Sequence, residues 1–123
     1  MMRQQIRRVL RSPEGPLLIR VLLLAQSMKH RGITADTCVR EIGTPSKFGY
    51  SKYETEDEVR KFYSGFLHHK AYSGHLIHVG CGRYKITEKG EKHLDDYYYA
   101  IKEARASALR KAEEAVGDGV IRA

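Results

Sequence analysis

The chain changes its hydrophobic period once, within Arg83-Tyr84-Lys85-Ile86-Thr87-Glu88-Lys89-Gly90-Glu91-Lys92-His93-Leu94, and that change constrains the fold more than any other feature. Tyr84 and Ile86 alternate with Arg83, Lys85 and Thr87, the two-residue repeat of a half-buried strand. At Thr87 the repeat becomes helical. A threonine suited to an N-cap is followed by acid in the first turn, and Leu94, Tyr97, Tyr98 and Ile101 recur at helical spacing. The stretch is therefore a junction between a strand and a helix.

The totals bound the rest. A chain of 123 residues suits one compact domain with appendages and can bury a core without disulfides. A hydrophobic share of 41% and a charged share of 30% describe an ordinary soluble protein. The net charge of +7 and a pI near 9.5 favour an anionic partner, nucleic acid ahead of a membrane surface. A merely basic soluble protein is the plainer alternative. Cys38 lies on an apolar helical face and Cys81 in a Gly-Cys-Gly turn, so no disulfide framework is expected, and the expected setting is the reducing cytoplasm. The longest apolar run, Leu17 to Ala25, is broken by Arg20 and is too short to span a bilayer. Arg20 and the preceding Pro13-Glu14-Gly15-Pro16 also argue against a signal peptide.

Taken in order, residues 1–11 carry Arg3, Arg7, Arg8 and Arg11 and no acid. They read either as an arm on phosphate or on a partner subunit, or as a frayed terminus. Ser12-Pro13-Glu14-Gly15-Pro16 signals helix entry. Leu17 to Lys29 is apolar almost all round, as expected of a central buried helix that ends at Gly32. Thr34 caps a shorter second helix, with Ile33 placed to staple onto Cys38; Ala35, Cys38, Val39 and Ile42 form its apolar face. That inward spacing makes Cys38 a core residue rather than a nucleophile. Residues 44–54 form a loop in which Lys47, Lys52, Tyr50 and Tyr53 are candidates for phosphate contact, or a solvated connector.

Thr55-Glu56-Asp57-Glu58 is a capping box for a third helix reaching about Lys70. Val59, Phe62, Tyr63, Phe66 and Leu67 fall on one face, and Arg60, Lys61, Ser64, Gly65 and His68 on the other. His75 to Val79 and Arg83 to Thr87 form two strands joined by Gly80-Cys81-Gly82, a β-hairpin with Arg83 and Lys85 on its outer face. His75, His78 and Cys81 stand three apart. Residues three apart on a strand point to opposite faces, and no fourth ligand stands out, so no metal or cofactor is expected. No nucleophile–base arrangement, phosphate loop or carboxylate pair suggests catalysis. From Glu88 to about Val116 only Gly90 interrupts helical character, a length of about 43 Å. Leu94, Tyr97, Tyr98, Ile101, Ala104, Ala108, Leu109 and Ala112 stripe this helix beyond what one small domain can cover. A symmetry mate is the simplest cover, and a helix folded back on its own domain is the alternative.

The run Tyr84-x-Ile86-Thr87-x-x-Gly90-x-x-x-Leu94 resembles the Tyr-x-Leu-Thr-x-x-Gly-x-x-x-Leu run of MarR-like and PadR-like regulators. The specific match is confined to these residues; from Leu17 to Val116 the likeness is one of element order and spacing. It implies a mainly α fold with a small β-hairpin (α+β), a winged helix-turn-helix with a long C-terminal dimerisation helix. The divisions are a basic arm at 1–12, the winged domain at 13–87, the long helix at 88–116 and a loose tail at 117–123. In such families the third helix reads DNA, the wing touches the flanking groove and the last helix dimerises. Carried over, Arg60, Lys61, Ser64 and His68 become reading residues and Arg83 and Lys85 wing residues.

Two features depart from that pattern. The loop before the third helix exceeds the 3–4 residues of a tight helix-turn-helix. The first turn of the third helix carries Glu56, Asp57 and Glu58, which suit the helix dipole but repel phosphate. The expected function is sequence-specific binding of double-stranded DNA by a homodimeric transcriptional regulator with no catalytic step. The alternatives are an accessory DNA-binding protein of plasmid or phage replication, segregation or relaxosome assembly, and a protein-interaction module.

Overall fold

The computed structural model describes residues 15–50 and 52–122, with side chains as far as residue 115. The fold is mainly helical with one small antiparallel sheet, an α+β arrangement. Arg3, Arg7 and Arg8 lie outside the described residues.

Helix α1 (Gly15–Ser27) buries Leu17, Leu18, Ile19, Val21, Leu22 and Ala25 and leaves Arg20 in solvent. It forms the centre of the core, as its nearly continuous apolar sequence predicts. The Gly32 N–H donates to the Met28 carbonyl at 2.8 Å, and Gly32 takes a left-handed φ of +79°. A Cβ there would come within 2.9 Å of the Tyr84 carbonyl oxygen, so the closeness of the two strands of chain also requires glycine. Helix α2 (Ala35–Glu41) starts at Thr34, where the capping box is completed by Thr37 rather than by an acid: each threonine hydroxyl accepts the other's backbone N–H at 3.2 Å. A short 3-10 turn, Pro45–Phe48, gives part of the 44–54 connection regular structure.

Helix α3 (Glu56–Tyr72) is capped by Thr55, whose hydroxyl accepts the Glu58 N–H at 3.2 Å and donates to the Glu58 carboxylate at 2.8 Å. It buries Val59, Tyr63, Phe66 and Leu67 against α1 and α2. The Tyr63 hydroxyl donates to the Gly43 carbonyl at 2.6 Å, tying the middle of α3 to the end of α2.

Strands β1 (Leu76–Gly80) and β2 (Arg83–Ile86) pair with Leu76 opposite Ile86, Ile77 opposite Lys85 and His78 opposite Tyr84; the register shifts between His78 and Gly80. Cys81 and Gly82 make the turn with φ of +53° and +69°, the sign that a type I′ hairpin turn requires at both positions. One further pairing joins residues distant in sequence. Ile33 and Tyr84 exchange both backbone hydrogen bonds, at 2.7 and 2.8 Å, so the segment between α1 and α2 lies along β2 on the side away from β1.

Helix α4 (Glu88–Arg122) begins where β2 ends. The Thr87 hydroxyl donates to the Gly74 carbonyl at 2.6 Å and lies 3.0 Å from that of His75, while accepting the Gly90 N–H at 3.1 Å. A Cβ on Gly90 would overlap the His75 carbonyl oxygen and lie 2.8 Å from Ile86 Cγ1. The Thr-x-x-Gly sequence thus has a physical basis: threonine bridges three backbone groups and glycine lets the helix close onto them. At its far end α4 runs to Arg122, through Gly117-Asp118-Gly119 where a stop was expected, and about 52 Å in all. Each glycine disfavours helix by about 1 kcal/mol but removes no hydrogen bond, whereas proline would.

Two stability predictions follow from these backbone constraints. Gly90→Ala gains about 1 kcal/mol of helix propensity but overpacks a site bounded by a carbonyl oxygen, at a cost of up to about 3 kcal/mol. A net loss of about 2 kcal/mol in urea unfolding is expected. Cys81→Asn places a residue tolerant of left-handed φ in the turn and should raise stability by about 0.5–1 kcal/mol, read as a higher urea midpoint at unchanged slope.

Candidate nucleic-acid interface

The exposed side of α3 divides into two parts. Near its start, Arg60 is surrounded by acid. Its Nε lies 2.5 Å from Asp36 Oδ1 on α2, Nη1 lies 3.1 Å from Asp57 Oδ1, and Nη2 lies 3.3 Å from Glu56 Oε1. The hydrogen bond to Asp36, its charge and those of Glu56 and Asp57 strengthen the guanidinium's hold on its proton. Arg60, expected among the reading residues, has its fork of donors on three carboxylates and links α3 to α2. Spacing alone shows Glu56 and Asp57 within reach; the approach of Asp36 comes from the packing of the two helices.

Farther along, Lys61, Ser64 and His68 are exposed. Lys61 borders an open groove of about 480 Å³ whose other walls are Tyr50, Tyr53, Phe62, Gly65, Phe66 and His69. Tyr53, expected to reach phosphate, packs its ring on Phe62 with centroids 4.8 Å apart, and Tyr50 does the same at 4.9 Å. Their rings serve to hold the long connection against α3. Lys47 and Lys52 are exposed on that connection.

The hairpin presents a different surface. Tyr84 and Ile86 are buried, whereas Arg83 is exposed and Lys85 half-exposed on the opposite face, as the alternation predicts. Ile77 and Val79 on β1 remain 54% and 47% exposed, so apolar and cationic groups share the outer side. Arg83 Nη1 donates to the Arg31 carbonyl at 3.3 Å. Among the described residues, Arg31, Arg83 and Lys85 make no ion pair, in contrast to Arg60.

His75, His78 and Cys81 are not brought together. His78 packs on Tyr84 with ring centroids 5.0 Å apart, Cys81 is exposed in the turn, and His75 lies at the corner between α3 and β1. Among the described residues no group of three or more His, Cys, Asp or Glu side chains is placed to hold an ion. Cys38 is buried, and desolvation pushes its thiol up to about 12, so the thiolate is scarce at neutral pH. No helix of the described residues is long and apolar enough to cross a membrane.

The apolar stripe of α4 divides near Ile101. Leu94, expected at a dimer interface, is 1% exposed within the core of its own domain, and Tyr97 packs partly against the same core. Both instead anchor α4 to α1. Ala100, outside the predicted stripe, is buried; Ile101 is half-buried. Tyr98 is half-exposed, and Ala104, Ala108, Leu109 and Ala112 are exposed. Only this second set is open to a partner.

At the α3–β1 corner the His75 and His93 rings meet edge to face at 5.1 Å, and Ser73 Oγ lies 2.7 Å from His75 Nδ1. Burial, then the nearby His93, Lys89 and Lys70, push the His75 imidazole down to about 4. Burial lowers His93 as well, opposed by Asp96. His75 is therefore neutral in the folded chain, while the unfolded chain takes up its proton near pH 6.5. Its contribution is complete above pH 6.5 and is lost as pH falls towards 4. A loss on the order of 1 kcal/mol, discounted for partial exposure, is expected over that window. His75→Asn should flatten the pH dependence of the thermal midpoint there.

No protein-family model, characterised protein or solved structure was found to match this chain.

Proposed function

We propose that this chain is a winged-helix protein that binds double-stranded DNA as a homodimer and regulates transcription in the cytoplasm, with no catalytic step. The observation that carries this reading is the hairpin face with Arg83 and Lys85, paired with no acid among the described residues and fixed beside three packed helices. Cations held without local counter-charge attract a polyanion, and a hairpin of this width suits the edge of a groove. The Ile33–Tyr84 pairing supports the reading because it anchors the hairpin to the turn between α1 and α2. Lys61, Ser64 and His68 are the exposed groups of α3 available to base edges or phosphate. The open stripe of Ala104, Ala108, Leu109 and Ala112 fits a second copy of α4, since alanines permit close helix approach.

A second reading, an architectural role in replication or segregation, gains weight from Arg60. With that arginine held by Asp36, Glu56 and Asp57, the start of α3 offers little to the major groove, and backbone contact dominates.

Selection of bound sites from a random duplex pool, followed by footprinting, separates the two. A single short palindrome supports regulation; an extended array with weak base preference supports the architectural role. Absence of duplex binding below micromolar concentration at low salt removes both and leaves a protein-interaction module. For the dimer, Leu109→Asp should convert the sedimenting species to monomer and weaken binding to a two-half-site duplex at least tenfold. A sedimentation profile unchanged from a wild-type dimer would show that the interface lies elsewhere.

A further inference from the structure

We infer that the turn after α1, His30-Arg31, joins Arg83 and Lys85 in one preformed ledge that grips the phosphate backbone of duplex DNA. The inference rests on the DNA-binding reading and adds to it a segment that neither the helical pattern nor the hairpin motif marked.

Three contacts build the ledge from residues more than fifty positions apart in sequence. Arg83 reaches across to the Arg31 carbonyl at 3.3 Å. The Lys85 stem lies along Gly32, where an added Cβ would sit 3.3 Å from Lys85 Cγ. The paired hydrogen bonds between Ile33 and Tyr84 lock the two segments in register. Arg83 and the Lys85 stem are thus held against the backbone of the turn, which limits the side-chain ordering they lose on binding.

Charge decides what the ledge can hold. His30, Arg31 and Arg83 are exposed and Lys85 is half-exposed, and no acid pairs with any of the four among the described residues. The neighbouring Lys29 differs: its ammonium lies 3.0 Å from Glu91 on α4 and is largely compensated. The carbonyl end of α1 favours cations nearby, which explains how like charges gather here. It does not use up their donors. Arg83 spends one N–H on the Arg31 carbonyl and keeps the rest of its guanidinium for an outside acceptor. Cations spread along the turn and β2 match successive phosphates of a duplex better than one compact anion.

The test is a salt titration with the full chain and a short fluorescent duplex, following log Kobs against log[salt]. Arg31→Gln with Lys85→Gln keeps the side-chain stems and leaves Arg83 in place. The magnitude of the slope should fall by about 1.8, that is about 0.9 for each of two phosphates released, with the thermal midpoint essentially unchanged. Arg31→Lys with Lys85→Arg should restore the slope. A double Gln variant that binds duplex with the wild-type slope overturns the ledge while leaving DNA binding intact. A lowered midpoint with an unchanged slope assigns the cations to the end of α1 and overturns it equally. Stronger binding to a single strand, or to anionic vesicles, than to duplex overturns the choice of partner. A wild-type chain that binds no duplex overturns the DNA-binding reading and the ledge together.

Discussion

The structure depends on how closely the first turn of α4 can approach the corner between α3 and β1. Gly90 sets that distance, because any side chain there would meet the His75 carbonyl, and Thr87 closes the gap by bridging both sides. With the approach made, Leu94 and Tyr97 reach the core around α1. Helix propensity would favour alanine at position 90 by about 1 kcal/mol. Packing outweighs it, since a misplaced first turn would lift a whole helix from its apolar cover.

Electrostatics then separates two surfaces that composition averages together. The net charge of +7 says nothing about where the excess lies. On α3 the acids of the first turn stabilise the helix dipole, and Arg60 in turn neutralises two of them together with Asp36 from α2. That network is exposed, so it contributes less to stability than to charge: it leaves the start of α3 without net attraction for phosphate. On the outer face of the hairpin the balance is reversed: Arg83 reaches the Arg31 carbonyl, the Lys85 stem lies along Gly32, and among the described residues no acid pairs with Arg31, Arg83 or Lys85. A polyanion would be steered to the second surface before the first.

Much of the element order was legible because it follows from local chemistry. The Thr34 and Thr55 caps, the apolar faces of α1 and α3 and the Gly-rich turn before Arg83 all act within a few residues. What stayed hidden depends on pairs distant in sequence. Ile33 looked like a hydrophobic staple, and it is buried near Cys38, yet its backbone pairs with Tyr84. A single bridging residue leaves no alternation to detect. Arg60 had Glu56 and Asp57 in reach along its own helix, but the shortest contact is to Asp36 on α2. Leu94 belonged to an apolar stripe whose period could not show which part faces the protein's own core and which stays exposed.

That last ambiguity bears on how the two ends of the molecule communicate. The stripe starts in the core and continues exposed along one continuous helix, so in the proposed dimer a second copy packed beyond Ile101 would be held rigidly relative to Leu94. Leu94 and Tyr97 tie the helix to α1, and α1 leads directly into His30 and Arg31. Lys29 on that turn and Glu91 on α4 are joined at 3.0 Å, which adds a second link at the same level. Spacing between paired DNA contacts in a dimer would therefore be set by a stiff path through α4 and α1 rather than by a flexible linker. In the proposed DNA-binding dimer such a path would tolerate little change in half-site separation, because adjusting it would require breaking the Thr87–Gly90 junction or the packing of Leu94.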